Sequence, residues 1–168
     1  KLDESGLSLH TVSSSLPFKH IGKSQIKVSV GGSLVGLCIQ GLGGIYQICI
    51  LDFDNSLGTL SNLRSVKDFV SYGLEFSPNE EYLYIQGYST KPWSNNVVPG
   101  LYQLVVDSIK MNSTLNNTNT NLIHKTQGQS AVMSITPLSE IFITHSDEGF
   151  KAFSAILEPD SFGLKCKF

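Results

Sequence analysis

Residues 72–88, YGLEFSPNEEYLYIQGY, alternate apolar and polar side chains on either side of a Ser77-Pro78-Asn79 turn. A period of two is typical of β-strands that have one buried face. Proline has no N–H donor and a fixed φ, and asparagine tolerates turn conformations, so both suit the corner between two strands. The stretch therefore predicts a β-hairpin.

This hairpin recurs twice more along the chain. LEFSPNEEYLYIQG (74–87) matches VMSITPLSEIFITH (132–145), with Ser77-Pro78 over Thr136-Pro137, and a weaker copy is IKVSVGGSLVGLCIQ (26–40). A further apolar strand follows each copy, in GIYQICILDF (44–53), GLYQLVVDS (100–108) and GFKAFSAIL (149–157). A recurring unit of about fifty residues with three or four short strands is typical of a β-propeller blade. The sequence thus predicts an all-β fold of three four-stranded antiparallel blades that form part of a larger propeller.

The predicted blades cover residues 18–63, 64–121 and 122–168, and residues 1–17 are interpreted as the remnant of a preceding blade or as a linker. Strands, almost without helix, are expected within three ranges, 25–60, 70–110 and 130–158. Closed propellers typically have about four to eight blades. We therefore expect missing blades of the same polypeptide, or other chains, to close the ring.

Alternation also predicts which side chains form the core. Eight apolar residues are expected to be buried between blades: Leu74, Phe76, Leu83, Ile85, Leu104, Ile135, Ile141 and Ile143. The stretch Ser33–Leu51 has no charge and approaches the length of a membrane span. Its central glycines and its two glutamines favour two buried strands joined by a glycine turn instead.

Several of these motifs resemble a known family. YGLEFSPNEEYLYIQGY, GLYQLVVD, LDFDNSLGTLSN and the closing ITPLSEIFITH…ILEPDSFGLKCKF are similar to the WD40-like, YVTN-type propeller repeats of secreted and surface proteins of Bacteroidetes, including gliding-motility-associated proteins. The resemblance covers roughly residues 25 to 168. It implies a propeller in an extracellular or cell-surface protein. Because the shared residues are turn and core residues, it implies little about a ligand.

Composition narrows the classes of function. Charged residues make up 15% of the chain, against roughly 25% in an average soluble protein, and the net charge is -2 with no basic run. Nucleic-acid binding requires a positively charged surface, which this sequence does not offer. The three cysteines, Cys38, Cys49 and Cys166, lack the spacing of metal ligands. Cys38 and Cys49 lie in apolar runs and are expected to be buried free thiols.

Two motifs resemble catalytic or metal sites and are interpreted as turns. DFDNSLG (52–58) has alternate carboxylates but lacks the glutamate that ends a calcium loop. His145-Ser146-Asp147 contains the residue types of a hydrolase triad, yet triads are assembled from residues distant in sequence. We therefore expect a surface turn at each motif, and we predict no metal, no cofactor and no catalytic residue.

The segment Tyr88–Pro99 is the candidate binding loop. It contains the only tryptophan, Trp93, close to Asn95 and Asn96. An aromatic ring beside amides suits stacking on a sugar or anchoring a protein partner. Tyr88, Trp93, Asn95 and Asn96 are therefore the candidate binding residues. The alternative is that Trp93 folds over the edge of its blade.

The sequence favours a non-enzymatic propeller segment that serves as a scaffold for binding protein or glycan, with no membrane span. One alternative is a propeller enzyme of the lactonase or lyase type. That class would place histidines and carboxylates at equivalent positions of the inner strands, where this chain has Lys27, Glu75 and Met133. Another alternative is the extracellular sensor domain of a larger receptor.

Overall fold

A computed structural model describes residues 2–3, 6–7, 25–40, 46–67, 69–89, 98–109, 120–126, 132–147 and 150–168. The described chain is all-β, and it contains no α-helix but two short 3₁₀ turns, Val106–Ser108 and Gly163–Cys166. The strands are β1 Leu2–Asp3, β2 Gly6–Leu7, β3 Gln25–Val28, β4 Leu34–Gln40, β5 Tyr46–Asp54, β6 Thr59–Lys67, β7 Phe69–Phe76, β8 Tyr82–Ser89, β9 Gly100–Val105, β10 Thr120–Lys125, β11 Val132–Ile135, β12 Ile141–Asp147 and β13 Phe150–Ile156.

These strands form three antiparallel sheets and one two-stranded ribbon, β1–β2. The first sheet has the order β3-β4-β5-β6, the second β7-β8-β9-β10 and the third β11-β12-β13. Each sheet is a meander, in which every strand pairs with the one before it. Strand β7 contacts β3, β4 and β5 of the first sheet and β11 of the third. The second sheet therefore lies between the other two.

The first turn of each sheet has the same backbone geometry. Gly32, Glu80 and Ser139 each donate a backbone hydrogen bond to the residue three places earlier, Ser29, Ser77 or Thr136. All three also have a left-handed φ, of 71°, 64° and 65°, which favours glycine. The repeat is thus visible in the backbone even where glycine is absent.

The third turn is shorter than the others. Ser29 and Ser77 bond the carbonyl five residues later, Leu34 or Tyr82, whereas Thr136 bonds that of Glu140, four residues later. Counting back from Thr136 makes Ser134 the counterpart of Glu75. Our assignment of Met133 to that position was wrong, because the lost turn residue shifts the alignment by one.

The core has two layers between the sheets and a third cluster on the outer face of the first sheet, formed by Val35, Leu37, Ile39, Cys49 and Leu51. The first layer joins the first and second sheets and includes Leu34, Ile48 and Ile50 against Leu74 and Phe76, all buried. The two sheets can come this close because residue 36 is a glycine, and a Cβ at that position would lie 3.1 Å from the Phe76 ring. The second layer is formed by residues of the second and third sheets and of the C-terminal segment, Tyr84, Leu101, Met133, Ile141, Ile143, Ile156 and Cys166.

The predicted core is confirmed at seven of its eight positions, which are at most 1% exposed. Ile135 is only half-buried. It is the last residue of β11 and is followed by a partly exposed turn, so the second sheet covers it incompletely. The stretch Ser33–Leu51 contains the paired strands β4 and β5 as predicted, and its central glycines 41, 43 and 44 lie outside the described residues.

The two motifs interpreted as turns have different outcomes. Asp54 accepts hydrogen bonds from the backbone N–H groups of Ser56 and Leu57, and Gly58 closes the loop with a φ of 70°. That turn is confirmed. The turn predicted at His145-Ser146-Asp147 is wrong, because all three residues continue β12 in register with β13. Among the described residues, no helix is long and apolar enough to cross a membrane.

Candidate binding loop and inner-strand polar cluster

The candidate binding loop connects β8 to β9, the second and third strands of the second sheet. The equivalent connections are residues 41–45 in the first sheet and 148–149 in the third, and 90–99 is the longest of the three.

Both stems of the loop are fixed to the sheet. Gly87 on β8 pairs with Gly100 on β9. The Tyr102 hydroxyl donates a hydrogen bond to the Val98 carbonyl at 2.5 Å, and the Tyr102 ring meets Phe69 edge-on at 5.2 Å. The Thr126 N–H bonds the Pro99 carbonyl at 3.0 Å. These contacts hold the loop ends on a rigid frame.

Of the four candidate binding residues, the structure describes only Tyr88. It is half-buried near the end of β8, opposite Val70 on β7. Trp93, Asn95 and Asn96 lie outside the described residues.

A polar cluster connects the inner strands of the three sheets, which are the first strand of each sheet: β3, β7 and β11. The Lys27 ammonium on β3 lies 2.7 Å from the Glu75 carboxylate on β7. The same ammonium donates a hydrogen bond to the Met133 carbonyl on β11 at 2.6 Å. Gln25, also on β3, accepts a hydrogen bond from the Leu74 N–H at 2.8 Å. Strand β3 therefore makes hydrogen bonds to a side chain and a backbone group of β7 and to a backbone group of β11.

The side chains of this cluster protect the edges of two sheets. Strands β7 and β11 are edge strands, whose outward backbone groups are open to unwanted strand pairing. Gln25 and Lys27 hydrogen-bond two of these groups, the Leu74 N–H and the Met133 carbonyl. The Glu75 carboxylate accepts a third, the Phe76 N–H, at 3.2 Å. The charges of Lys27 and Glu75 balance. In the part of the chain that the structure describes, no group of three or more His, Cys, Asp or Glu side chains could hold a metal ion.

A second polar network fixes the C-terminal segment, residues 157–168, to the second sheet. The Gln103 amide nitrogen donates to the Tyr84 hydroxyl at 2.7 Å and to the Ser161 carbonyl at 2.8 Å. Its amide oxygen accepts the Gly163 N–H at 2.8 Å. The Tyr84 hydroxyl donates in turn to the Pro159 carbonyl at 2.9 Å, and burial raises the pKa of this phenol. Gln103 and Tyr84 thus hold a segment without regular strands.

The turns of the first and second sheets are bridged by Glu80. Its carboxylate accepts the Gly31 N–H at 2.9 Å and the Ser33 hydroxyl. Burial opposes ionisation of this group, but the hydrogen bonds from Ser29, Ser33 and Gly31 outweigh it and lower its pKa. The side chain therefore compensates, through contacts between sheets, for a backbone conformation that favours glycine.

The three thiols of the chain are buried. Cys38, Cys49 and Cys166 are free and buried, as predicted for the first two. Burial raises the pKa of Cys38 and of Cys49 to about 12. A thiolate is the nucleophilic form of cysteine, so neither residue is suited to catalysis at neutral pH.

The sequence pattern does not distinguish Gln25 or Gln103 from ordinary surface residues. Both occupy polar positions in alternating strands, where a solvent-facing side chain is the ordinary interpretation. Gln103 does repeat Gln47 in the Tyr-Gln pair that follows the strand-opening glycine, and this shared pair was the available signal. Lys27 and Glu75 also occupy equivalent positions with opposite charges, which is compatible with pairing across neighbouring inner strands.

The fold and these two polar networks define an all-β protein of three stacked antiparallel meanders. No protein family model matches this chain, and no curated protein matches it.

Proposed function

We propose that the chain is a section of a β-propeller in a secreted or cell-surface protein, where it serves as a non-enzymatic scaffold for binding. The observation that carries the proposal is the contact of Lys27 with both Glu75 and Met133. It links the inner strands of three successive meanders, an arrangement that suits strands gathered around a propeller axis. The resemblance to WD40-like repeats of Bacteroidetes supports the same proposal.

The binding site of this scaffold is the loop between β8 and β9. Binding residues are often carried on loops that a rigid frame positions. The end of this loop that leads into β9 is held by hydrogen bonds from Tyr102 to Val98 and from Thr126 to Pro99, and the other end continues from the paired strand β8. Trp93 offers an aromatic face, and Asn95 and Asn96 offer amide donors and acceptors. This combination favours a glycan that stacks on the indole ring.

Intrinsic fluorescence tests the proposal directly, because Trp93 is the only tryptophan. The 168-residue chain is titrated with chito-oligosaccharides, cello-oligosaccharides and mannan, and one of these probes should shift or quench the emission. Trp93→Ala should weaken binding of that probe by about 2 kcal/mol or more, measured by calorimetry, with an unchanged melting temperature. Leu57→Ala, in an exposed turn on another sheet, is the control.

A spectrum that responds to none of these glycans would contradict the choice of ligand. An affinity that is the same in Trp93→Ala as in the unmodified chain would contradict the choice of site.

A further inference from the structure

The outer face of the first sheet, which points away from the second sheet, is buried within a single copy of the chain. Its apolar side chains on β4 and β5 are at most 7% exposed: Val35, Leu37, Ile39, Cys49 and Leu51. The described residues that pack with them, Phe53, Leu60 and Leu63, all belong to the first sheet itself. Another part of the same chain must therefore cover this face.

Uncovered strands of the same chain show the contrast. Phe153, on the face of the third sheet that points away from the second, is 80% exposed. Ile26 on β3 is 62% exposed, although it pairs with Leu37 on β4, which is 4% exposed. Ser65 on β6, which pairs with Cys49, is also only 4% exposed. The cover therefore lies over β4, β5 and β6 and stops short of β3.

Reach excludes the loops of the other two sheets as the cover. A strand extends by about 3.4 Å per residue, and packed sheets lie about 10 Å apart. Residues 110–119 are the longest stretch of these sheets outside the described residues, and a loop of this length reaches about 17 Å before it must return. A segment on the outer face of the first sheet is two such spacings, about 20 Å, from the second sheet.

The connection within the first sheet is also too short. Residues 41–45 join β4 to β5 beyond Gln40. Val35 and its partner Leu51 lie near the opposite ends of these strands, five residues from Gln40 along β4, which is about 17 Å. A turn of this length reaches roughly half that distance before it returns. It therefore leaves Val35 and Leu51 uncovered.

Residues 8–24 have the position and the composition that the cover requires. They lead directly into Gln25, which pairs with Cys38 and so lies beside Ile39 of the buried face. No Lys, Arg, Asp or Glu occurs in residues 8–18, so burial of this stretch leaves no unpaired charge. The segment also supplies large apolar side chains, Leu9, Val12, Leu16, Phe18 and Ile21.

We propose that residues 8–24 fold over the outer face of the first sheet and bury it. The segment overlaps residues 1–17, which the sequence pattern presents as the remnant of a preceding blade or as a linker. A preceding sheet of a longer polypeptide would meet this segment instead of β4 and β5. The inference does not depend on a binding function of the loop between β8 and β9.

Photo-crosslinking of the unmodified 168-residue chain identifies the cover. Photo-leucine in place of leucine nearly preserves the side chain and forms a bond to a group in contact with it. We expect mass spectrometry to find cross-links from Leu37 and Leu51 to residues 8–24. Cross-links from Leu74 to the first sheet are the positive control, because Leu74 packs in the layer between the first two sheets. Cross-links from Leu37 and Leu51 to residues 110–119, or none to 8–24, would overturn the inference.

Cysteine alkylation provides a second test, because the two faces of the first sheet carry one thiol each. Cys49 lies on the outer face and Cys38 on the face toward the second sheet, and both are buried. Both should react slowly with iodoacetamide in the unmodified chain, since reaction requires an accessible thiolate. The double variant Leu16→Asp/Phe18→Asp should raise the rate at Cys49 alone by about 10-fold or more, because two carboxylates oppose burial of the segment.

Lys19→Asp, which exchanges one charged side chain of the segment for another, is the matched control and should change neither rate. An unchanged rate at Cys49 in the double variant would contradict the inference. If Cys38 becomes equally reactive, the whole sheet has opened, and the cross-links of the unmodified chain decide. Neither experiment involves residues 90–99, so the glycan titration can fail or succeed independently.

Discussion

Gln103 and Gln86 lie on the same face of adjacent strands and provide a matched test of the buried polar network. Gln86 on β8 pairs with Leu101, two residues from Gln103 on β9. Both side chains are at most 1% exposed. Gln103 makes three hydrogen bonds, whereas neither amide atom of Gln86 has a partner within the described part of the chain. Substitution of each by methionine keeps the side-chain volume and removes only the amide.

The expected changes in stability have opposite signs. Gln103→Met removes three bonds and leaves the Gly163 N–H and the Ser161 carbonyl without their partner. At about 1 kcal/mol for each bond, with a further cost for unpaired buried groups, the free energy of unfolding should fall by about 2–4 kcal/mol. Gln86→Met removes two buried polar atoms that gain nothing from the fold. It should therefore raise the free energy of unfolding by about 1–2 kcal/mol.

Urea unfolding followed by circular dichroism measures both changes, with equal m-values as the control for an unaltered unfolded state. Equal destabilisation by the two substitutions would refute the reasoning, since it would show that the Gln86 amide has a partner, such as a buried water molecule. A harmless Gln103→Met would show that the C-terminal segment is held by apolar contacts alone.

Two further predictions concern packing and pH. Phe76→Ala should lower the free energy of unfolding by about 3–5 kcal/mol, because the ring is fully buried against Gly36; Phe153→Ala, at an exposed position, is the control and should cost less than about 0.5 kcal/mol in monomer unfolding. The pKa of Glu80 is lowered in the fold, so its contribution to stability is present above its unfolded value of 4.5 and is lost as the pH falls through the folded value. Glu80→Gln should therefore flatten the dependence of stability on pH below about 4.5, whereas an equal effect of Glu81→Gln would contradict the assignment to Glu80.

The strands and most of the core could be predicted because they depend on local alternation. Leu74 and Phe76 alternate with polar residues, and a period of two places them on one face whatever lies opposite. The equivalence of Ser134 with Glu75 could not be predicted in this way. It follows from matching Ser77-Pro78 with Thr136-Pro137 and counting back two residues, and the hydrogen bond from Thr136 to Glu140 shows that the turn is one residue shorter.

The polar networks were harder to predict than the core. Gln103 and a solvent-exposed glutamine look alike in a strand pattern, because alternation does not state whether the second face meets water or another sheet. The partners of Gln103 belong to residues 157–168, which have no strand periodicity and approach it only through the fold. For the candidate binding loop the sequence says more than the structure does. Its residue types suggest a function, whereas the structure describes only its two ends.

The two faces of the second sheet differ in chemistry, and this difference gives the stack of sheets a direction. Leu74 and Phe76 face the first sheet in a largely apolar layer, to which Gln25 adds one hydrogen bond from the Leu74 N–H. Apolar contacts of this kind contribute energy but little specificity. Glu75, Tyr84 and Gln103 belong to the other face or its edge, and each makes a directed polar contact outside its own sheet, to Lys27, Pro159 or Ser161. Directed bonds to buried groups are costly to leave unmade. A reversed or shifted arrangement of the sheets would retain much of the apolar burial yet lose these bonds, so the polar face selects one order of stacking among those that hydrophobicity alone would allow.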